Sequence, residues 1–477
     1  MNQRARVLAA GQAALSELPD AILNLGTIFA RNGHELSLVG GPVRDAFLGR
    51  PIHDFDFTTS ALPDVTEKLL DEWGDAVWDI GKKYGTIGAA RDGLVVEVTT
   101  YRTEEYDPES RKPEVNYGKT LEGDLTRRDF TVNAMAVRLP ELTLVDPCGG
   151  LEDLLIGELN TPAPATQSFD DDPLRIMRAA RFASQLGFTV SEAVMNAMEL
   201  MAKRLEIVSA ERIQAELHRL IIGDDPRKGL ELMVHTGVAD VVLPELSALQ
   251  GATDEHNRHK DVYEHTLTVL DQAIALETDA DGPVPRPDFV LRFAALMHDV
   301  GKPATRKFES DGTVSFHNHD LVGAKLTRTR MRALRFDKHT TKDVSRLVGM
   351  HLRFHGYGEQ EWTDSAVRRY VADAGQLYER LNRLTRADST TKNKRKARWL
   401  QAAVDDLERR VIELKKQEEI DAIRPDLDGK QIMDILGLQP GREVGEARKY
   451  MLALRIEEGE LGEDEATRRL IEWWQNR

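Results

Sequence analysis

The stretch from Val39 to Thr59, VGGPVRDAFLGRPIHDFDFTT, gathers residue types that can do chemistry. Asp54 and Asp56 alternate with Phe55 and Phe57. On a strand that buries the phenylalanines, both carboxylates turn to the opposite face, because side chains alternate with period two. Two like charges side by side need either a cation or open water, so the pair reads as metal ligands or as a solvated strand face. Upstream, Gly40-Gly41 lies between an apolar segment and Pro42, a residue suited to the first turn of a helix. Glycines there let a phosphate approach free backbone N–H groups at the positive helix end, and Arg44, one turn in, reaches the same anion. A Gly-Gly pair alone is equally a plain tight turn. Cradle and carboxylates on consecutive elements narrow the reading: two carboxylates can hold two Mg2+ ions roughly 4 Å apart, one activating a hydroxyl and one steadying a leaving pyrophosphate. Glu97, in LVVEVTT, falls on a strand expected beside Asp56 and is either a third carboxylate or an exposed edge acid.

Asp172, Arg175, Arg178 and Arg181 recur every three residues, which predicts that the first three share one helix face. They form either a solvated charged stripe or a reader of base edges. Cytosine and adenine present an amino donor beside a bare ring nitrogen, whereas uracil and guanine present a carbonyl beside an N–H. A carboxylate paired with a guanidinium accepts the first two and rejects the others. Farther on, YEHTLTVL, LMHDVGK, FHNHDLVGA, VGMHLRFHG and TRADSTT place histidines and aspartates on helix-like segments. Each can be a core histidine by itself. Together, imidazole and carboxylate suit a transition metal rather than Mg2+.

The elements that must position these groups follow from local pattern. A helix is expected from Ala21 to Asn32, then a buried strand LSLVG and a helix from Pro42 to Leu48. The Asp54 strand comes next, then a helix from Pro63 to Trp73 and strands at Ala76 to Ile80, Thr86 to Ala90 and Leu94 to Tyr101. This is a mixed α/β unit. Thr161 to Thr166, TPAPAT, reads as a proline-punctuated linker. From Pro173 to about Leu243 the pattern is helical throughout. Residues 251–391 carry nine of the thirteen histidines, and residues 392–477 are charged and helical.

At 477 residues with 41% hydrophobic and 30% charged residues, several soluble domains are expected. No apolar run approaches the roughly 20 residues of a membrane span, and the first residues read as an amphipathic helix rather than a signal peptide. Cys148 is the single cysteine, which excludes an internal disulfide and a cysteine zinc cluster and fits a reducing cytoplasm. A net charge of −16 argues against nucleic-acid binding as a whole-chain property. Basic residues nevertheless cluster at Lys325 to Arg335 and Lys392 to Arg398; the second run can follow an RNA backbone or form a solvated helix face.

GGPVRD, DFDF, GKKYGTIG, EVTTYR, RRDFTVNAMA, DPCGGLEDL and DDPLRIMRAARFASQLGF, in that order, resemble the class II tRNA nucleotidyltransferases. These are the CCA-adding enzymes and the related bacterial poly(A) polymerases. The resemblance implies an α/β nucleotidyltransferase head with a polymerase-beta-like mixed sheet, followed by an all-α body, an HD domain and a helical tail. The expected boundaries are 1–160 for the head, 161–250 for the body, 251–391 for the HD domain and 392–477 for the tail. It implies Asp54 and Asp56 as catalytic Mg2+ ligands, and Gly40, Gly41, Arg44 and Arg128 at the nucleotide phosphates. It places Asp129 and Asn133 near the ribose, Asp172 and Arg175 on the base, and Arg178 and Arg181 in support. Asp171 stands where many members have Glu. The partners implied are tRNA, CTP and ATP, with poly(A) or A-only addition as the alternative. The histidine segments resemble the HD metal-dependent phosphohydrolases. That implies His265, His298, Asp299 and Asp388 as one metal site, with His319 and His351 completing a second, and cleavage of phosphomonoester or cyclic phosphodiester bonds if the site is active. DGKQIMDILGLQPGREVGEARKYM resembles the helical segment that follows HD regions in this family, where Trp473 and Trp474 are expected to close a core.

Overall fold

The computed structural model describes residues 3–52, 54–105, 114–251, 261–310, 314–354, 362–389, 394–418 and 424–477. The chain forms two compact units, Met1–Pro244 and Glu245–Arg477.

The first unit opens with α1 (Gln3–Ser16) and α2 (Asp20–Arg31). Val7, Gly11 and Leu15 make a stripe along α1, and Gly11 is needed there because a β-carbon would meet the Phe47 ring. Strands β1 (Leu36–Val39) and β2 (Phe55–Thr59) flank α3 (Gly41–Phe47). Then come α4 (Pro63–Trp73), β3 (Ala76–Gly81), β4 (Thr86–Arg91) and β5 (Leu94–Thr100). A ribbon of β6 (Arg102–Glu105) and β7 (Glu114–Tyr117) precedes α5 (Leu121–Thr126), β8 (Ala136–Leu139), β9 (Thr143–Val145) and α6 (Gly150–Ile156).

The sheet runs β3-β4-β5-β2-β1-β8-β9. Only β2 and β5 pair in parallel; the other neighbours are antiparallel. Phe55, Phe57, Ile87, Ala89, Val96 and Val98 fill the core on one face. On the other face, Trp78 of β3 is the partner of Gly88, Gly88 of Glu97, and Glu97 of Asp56. One row of the sheet therefore leads from an edge tryptophan to the carboxylates.

Beyond the sheet come β10 (Glu158–Leu159), α7 (Ala165–Asp171), α8 (Leu174–Leu186), β11 (Thr189–Val190), α9 (Glu192–Met201), α10 (Ala210–Ile221) and α11 (Pro226–His235). The TPAPAT stretch is a short connection from β10 to α7 inside the first unit. Two expectations need correction. The region from Pro173 to Leu243 is not wholly helical: Thr189–Val190 pairs in parallel with Glu158–Leu159, so the left-handed Gly187 turn returns the chain to an edge. Asp172 is not on the helix that carries Arg175, Arg178 and Arg181. Pro173 disfavours helical backbone at the preceding residue, and Asp172 is extended, at φ −141° and ψ 100°, in the joint between α7 and α8.

The second unit is helical apart from a short antiparallel pair, Lys307–Phe308 with Val314–Ser315. Asp261, Asp288, Asp337 and Thr363 each cap the helix that follows with a side-chain oxygen. Helices Val262–Ala275, Phe289–Met297, Lys338–Met350 and Tyr378–Asp388 pack around a common centre. Of the basic run 392–398, residues 392 and 393 lie outside the described residues, and a helix of 25 residues starts at Lys394. In the tail, Leu427, Ile432, Met451 and Leu470 form a core of their own, with Trp473 stacked on Tyr450 at 4.7 Å. No helix among the described residues is long and apolar enough to cross a membrane.

Candidate active site and a second metal centre

Asp54 precedes β2 by one residue and Asp56 lies within it. Both are exposed, while Phe55 and Phe57 are buried. The parallel register sets Glu97 of β5 directly beside Asp56. Although the residue keeps an exposed surface, desolvation by the protein around its carboxyl, then the charges of Glu97 and Asp54, push the Asp56 carboxyl up, with Arg128 partly offsetting them. A site whose carboxylates repel one another favours a divalent cation. Among the described residues these oxygens do not close into a compact triplet. Open carboxylate pairs of this kind suit Mg2+, which takes its remaining ligands from water and substrate phosphates.

Next to the carboxylates, Gly40 caps α3 at φ 75°, a conformation that favours glycine. A β-carbon there would approach Arg128 Nη1 to 3.2 Å, so the turn and Arg128 share one space at the helix N-terminus. Arg44 Nη1 donates to Asn133 Oδ1 at 2.8 Å, and Asn133 Nδ2 donates to Asp129 Oδ1 at 3.1 Å. Asp129 Oδ2 meets Arg178 Nη2 at 2.5 Å. Burial opposes the charge on Asp129, but Arg178, Asn133 and the Phe130 N–H hold its carboxyl below the usual range. These contacts join α3, the turn at Thr131–Asn133 and α8 in one network, so Gly40, Arg44, Arg128, Asp129, Asn133 and Arg178 are brought together.

Three residues that sequence reasoning passed over hold this network. Asp124, fully buried on α5, accepts from Arg127 at 2.8 Å and Arg128 at 3.1 Å, and from the Arg102 backbone N–H and Thr58. Its position three and four residues before the arginine pair was the available signal. Ser168 Oγ accepts from Arg175 Nη1 at 2.8 Å, while Arg175 Nη2 donates to the Arg127 carbonyl at 2.6 Å. Arg212 on α10 pairs with Asp172 at 3.0 Å. Asp172 and Arg175 thus lie on adjoining elements, each held by a different partner. Arg181 departs from the group: buried over the Phe182 ring at 3.8 Å, it is paired with buried Glu216 and hydrogen-bonds Gln185. In this structure it ties α8 to α10 and presents little to a ligand.

In the second unit, His265, His298 and Asp299 form one group, and Asp299, His319 and His351 another; within each group the ligand atoms lie within 4.8 Å of one another. Asp299 belongs to both. Asp388 Oδ1 lies 3.0 Å from His265 Nε2 and 3.4 Å from His298 Nε2. His298, His319 and His351 each aim Nδ1 at the carbonyl three residues earlier, those of Ala295, Phe316 and Val348, at 2.7–2.8 Å. In the neutral imidazole that bond assigns the proton to Nδ1 and leaves Nε2 as the lone pair a metal would take in place of a second proton. His298 Nε2 is buried, near Asp299 and Asp388, without the alignment of a hydrogen bond. Burial works against charge on His298, yet Asp299 and Asp388 prevail and raise its pKa to about 10. His351, buried and facing His298, falls to about 4. The negative field that holds a proton there can equally hold a cation. The donor set of imidazoles and carboxylates fits a transition metal.

Residues 36–160 match the family model described as the Poly A polymerase head domain. Residues 187–249 match the probable RNA and SrmB-binding site of polymerase A, and residues 262–393 match the HD domain. The chain is 33% identical to the A-adding tRNA nucleotidyltransferase of Deinococcus radiodurans over 454 residues, covering 92% of this chain and 95% of that one. It is 40% identical to the CCA-adding enzyme of Geobacillus thermodenitrificans over 218 residues, 46% of this chain and 52% of that one. The fold is similar to that of the Bacillus stearothermophilus CCA-adding enzyme solved in complex with CTP, with a TM-score of 0.69 at 24% identity, covering 96% of this chain and 98% of that one.

Proposed function

Since this chain belongs to the tRNA nucleotidyltransferase family, we propose that it adds C, C and A to the 3′ end of tRNA from CTP and ATP, with no nucleic-acid template. The observation that carries this reading is the placing of Asp56 beside Glu97, next to a glycine-capped helix N-terminus that shares its space with Arg128. In the reaction the RNA 3′-oxygen bonds to the α-phosphorus, the bond from that phosphorus to the bridging oxygen breaks, and pyrophosphate leaves. Asp54 and Asp56 would hold Mg2+, and the chemistry it would supply there is to ease deprotonation of the attacking hydroxyl and to offset charge on the leaving pyrophosphate. Arg44, Arg128 and the N-terminus of α3 bind the phosphates, with Gly40 and Gly41 leaving room for them. Asp129 and Asn133 lie toward the ribose, and Arg178 fixes Asp129. Asp172 accepts from the base amino group and Arg175 donates to the ring nitrogen; both must exchange their present partners for the base. A tRNA substrate implies work in the cytoplasm, and among the described residues no helix is long and apolar enough to cross a membrane.

The near full-length likeness to an A-adding enzyme favours a second reading, addition of A alone. Incubation with tRNA ending before CCA and each labelled nucleoside triphosphate separates the two. C followed by A supports the first, A alone the second, and no incorporation removes both. The HD group would add a phosphohydrolase site in which His265, His298, Asp299 and Asp388, with His319 and His351, would hold a transition metal; the chemistry such a metal would supply is activation of water for hydrolysis.

A further inference from the structure

Asp54, Asp56 and Glu97 have two sides along the sheet. Toward β1 and β8 lie α3, the turn at Thr131–Asn133 and α8, the elements assigned above to the triphosphate, ribose and base of the incoming nucleotide. In-line displacement puts the attacking oxygen opposite the leaving pyrophosphate. The RNA 3′ end therefore enters from the other side, over β5, β4 and β3.

That side carries an unusual surface. Trp78 is 38% exposed and Ile80 44% exposed, both on edge strand β3. Both side chains lean across β4 at Gly88, where a β-carbon would lie 2.6 Å from Trp78 Nε1 and 2.7 Å from Ile80 Cδ1. Gly88 is the register partner of Glu97, which is the partner of Asp56. The indole thus hangs over a strand two places from Asp56, about 10 Å at strand spacing. A β-bulge between Asp79 and Gly81 bends the end of the same strand, and the turn beyond it exposes Tyr84 with the Lys83 ammonium 4.7 Å from its ring. An exposed indole in the row of the carboxylates, with an exposed tyrosine and its lysine farther along, suits an unpaired nucleobase and its phosphate.

We propose that Trp78, seated on Gly88 and supported by Ile80, is the stacking platform for the nucleobase of the RNA 3′-terminal nucleotide. The inference rests on the reading of the first unit as an RNA 3′-end elongating site. Stacking is indifferent to base identity, so one platform serves both the original terminal base and the cytosines that replace it as the end grows.

Steady-state addition to tRNA ending before CCA tests it. Trp78→Ala is expected to raise KM for the RNA about five- to a hundredfold, the range of one base stacked on an aromatic ring, and to leave KM for CTP unchanged; Trp78→Phe retains most of the wild-type value. RNA ending in an abasic ribose should suffer the same loss with the wild type, with nothing further lost in Trp78→Ala. Gly88→Ala pushes the indole off its seat and should reproduce the RNA defect while Trp78 is kept. An unchanged RNA KM in Trp78→Ala, or an equal additional loss on abasic-ended RNA, overturns the platform while elongation by the wild type stands. Absence of any incorporation by the wild type overturns the elongation reading and this inference together.

Discussion

Glu97 and Asp56 are register partners in the one parallel pairing of the sheet, two carboxylates set side by side by backbone geometry. Antiparallel neighbours could also align them, but here the parallel crossover through α4 and the β3–β4 hairpin brings β5 next to β2. Asp54→Ala and Asp56→Ala are therefore expected to abolish nucleotide addition. Glu97→Gln, which keeps size and removes charge, should weaken addition about ten- to a hundredfold and raise the Mg2+ concentration needed for half-maximal rate. Full activity of Glu97→Gln at limiting Mg2+ would make Glu97 an ordinary edge acid.

Asp124 governs stability and phosphate binding together. Burial alone would raise its pKa, yet Arg128 and Arg127 hold it below the usual carboxylate range. A depressed folded-state pKa means that this contribution is complete above the unfolded value near 3.9 and is lost as pH falls through the folded value. Asp124→Asn should cost about 3–5 kcal/mol, the loss seen when one partner of a buried pair is removed. It should also raise KM for CTP and flatten the acid side of the stability curve below about pH 4. Urea unfolding between pH 3 and 7 reads the stability loss and its pH dependence, and steady-state addition reads KM.

Five of the seven strands, β1 to β5, were legible in the sequence as short apolar or alternating runs, and prolines mark the helix starts: the predicted span of Pro63 to Trp73 is the observed one, whereas β8 and β9 went unread. The face shared by Asp54 and Asp56 follows from Phe55 and Phe57 alone. What escaped depends on partners far along the chain. Nothing near Asp172 announces Arg212, 40 residues on, and nothing near Arg181 announces Glu216, 35 residues on. The three-residue spacing suggested one helical face for Asp172, Arg175 and Arg178, but a single residue, Pro173, takes Asp172 off the helix, and pairing with Glu216 takes Arg181 out of the site.

Glu216 is accordingly expected to behave as a structural residue. Glu216→Ala leaves the Arg181 charge buried without its partner and should lower stability by about 3–5 kcal/mol, with the ratio of CTP to UTP incorporation unchanged. A shift in that ratio at full stability would return Arg181 to the nucleotide.

Asp172 should behave in the opposite way. Replacing its carboxylate with Asn adds a donor beside the acceptor, so discrimination of CTP against UTP should fall by about 1–3 kcal/mol, roughly five- to a hundredfold in kcat/KM. Arg212→Ala removes the partner that Asp172 must give up for the base and should therefore keep that discrimination without abolishing addition. Unaltered CTP over UTP selectivity in Asp172→Asn would remove it from base reading.

Asp299 is the ligand common to both histidine groups, so one substitution addresses the whole second centre. Protein loaded with Mn2+ or Ni2+ and then desalted should retain metal by mass spectrometry, and Asp299→Asn should retain little. Metal that binds only the folded chain raises the unfolding free energy by about 2.7 kcal/mol at a hundredfold excess over Kd. The rise should be seen in the wild type and in Asp54→Ala, and be absent from Asp299→Asn. If the two centres are chemically separate, Asp299→Asn keeps nucleotide addition, and Asp54→Ala, which has none, keeps any hydrolysis of phosphomonoesters or cyclic phosphodiesters. Loss of both activities in either folded variant would show that the centres work as one.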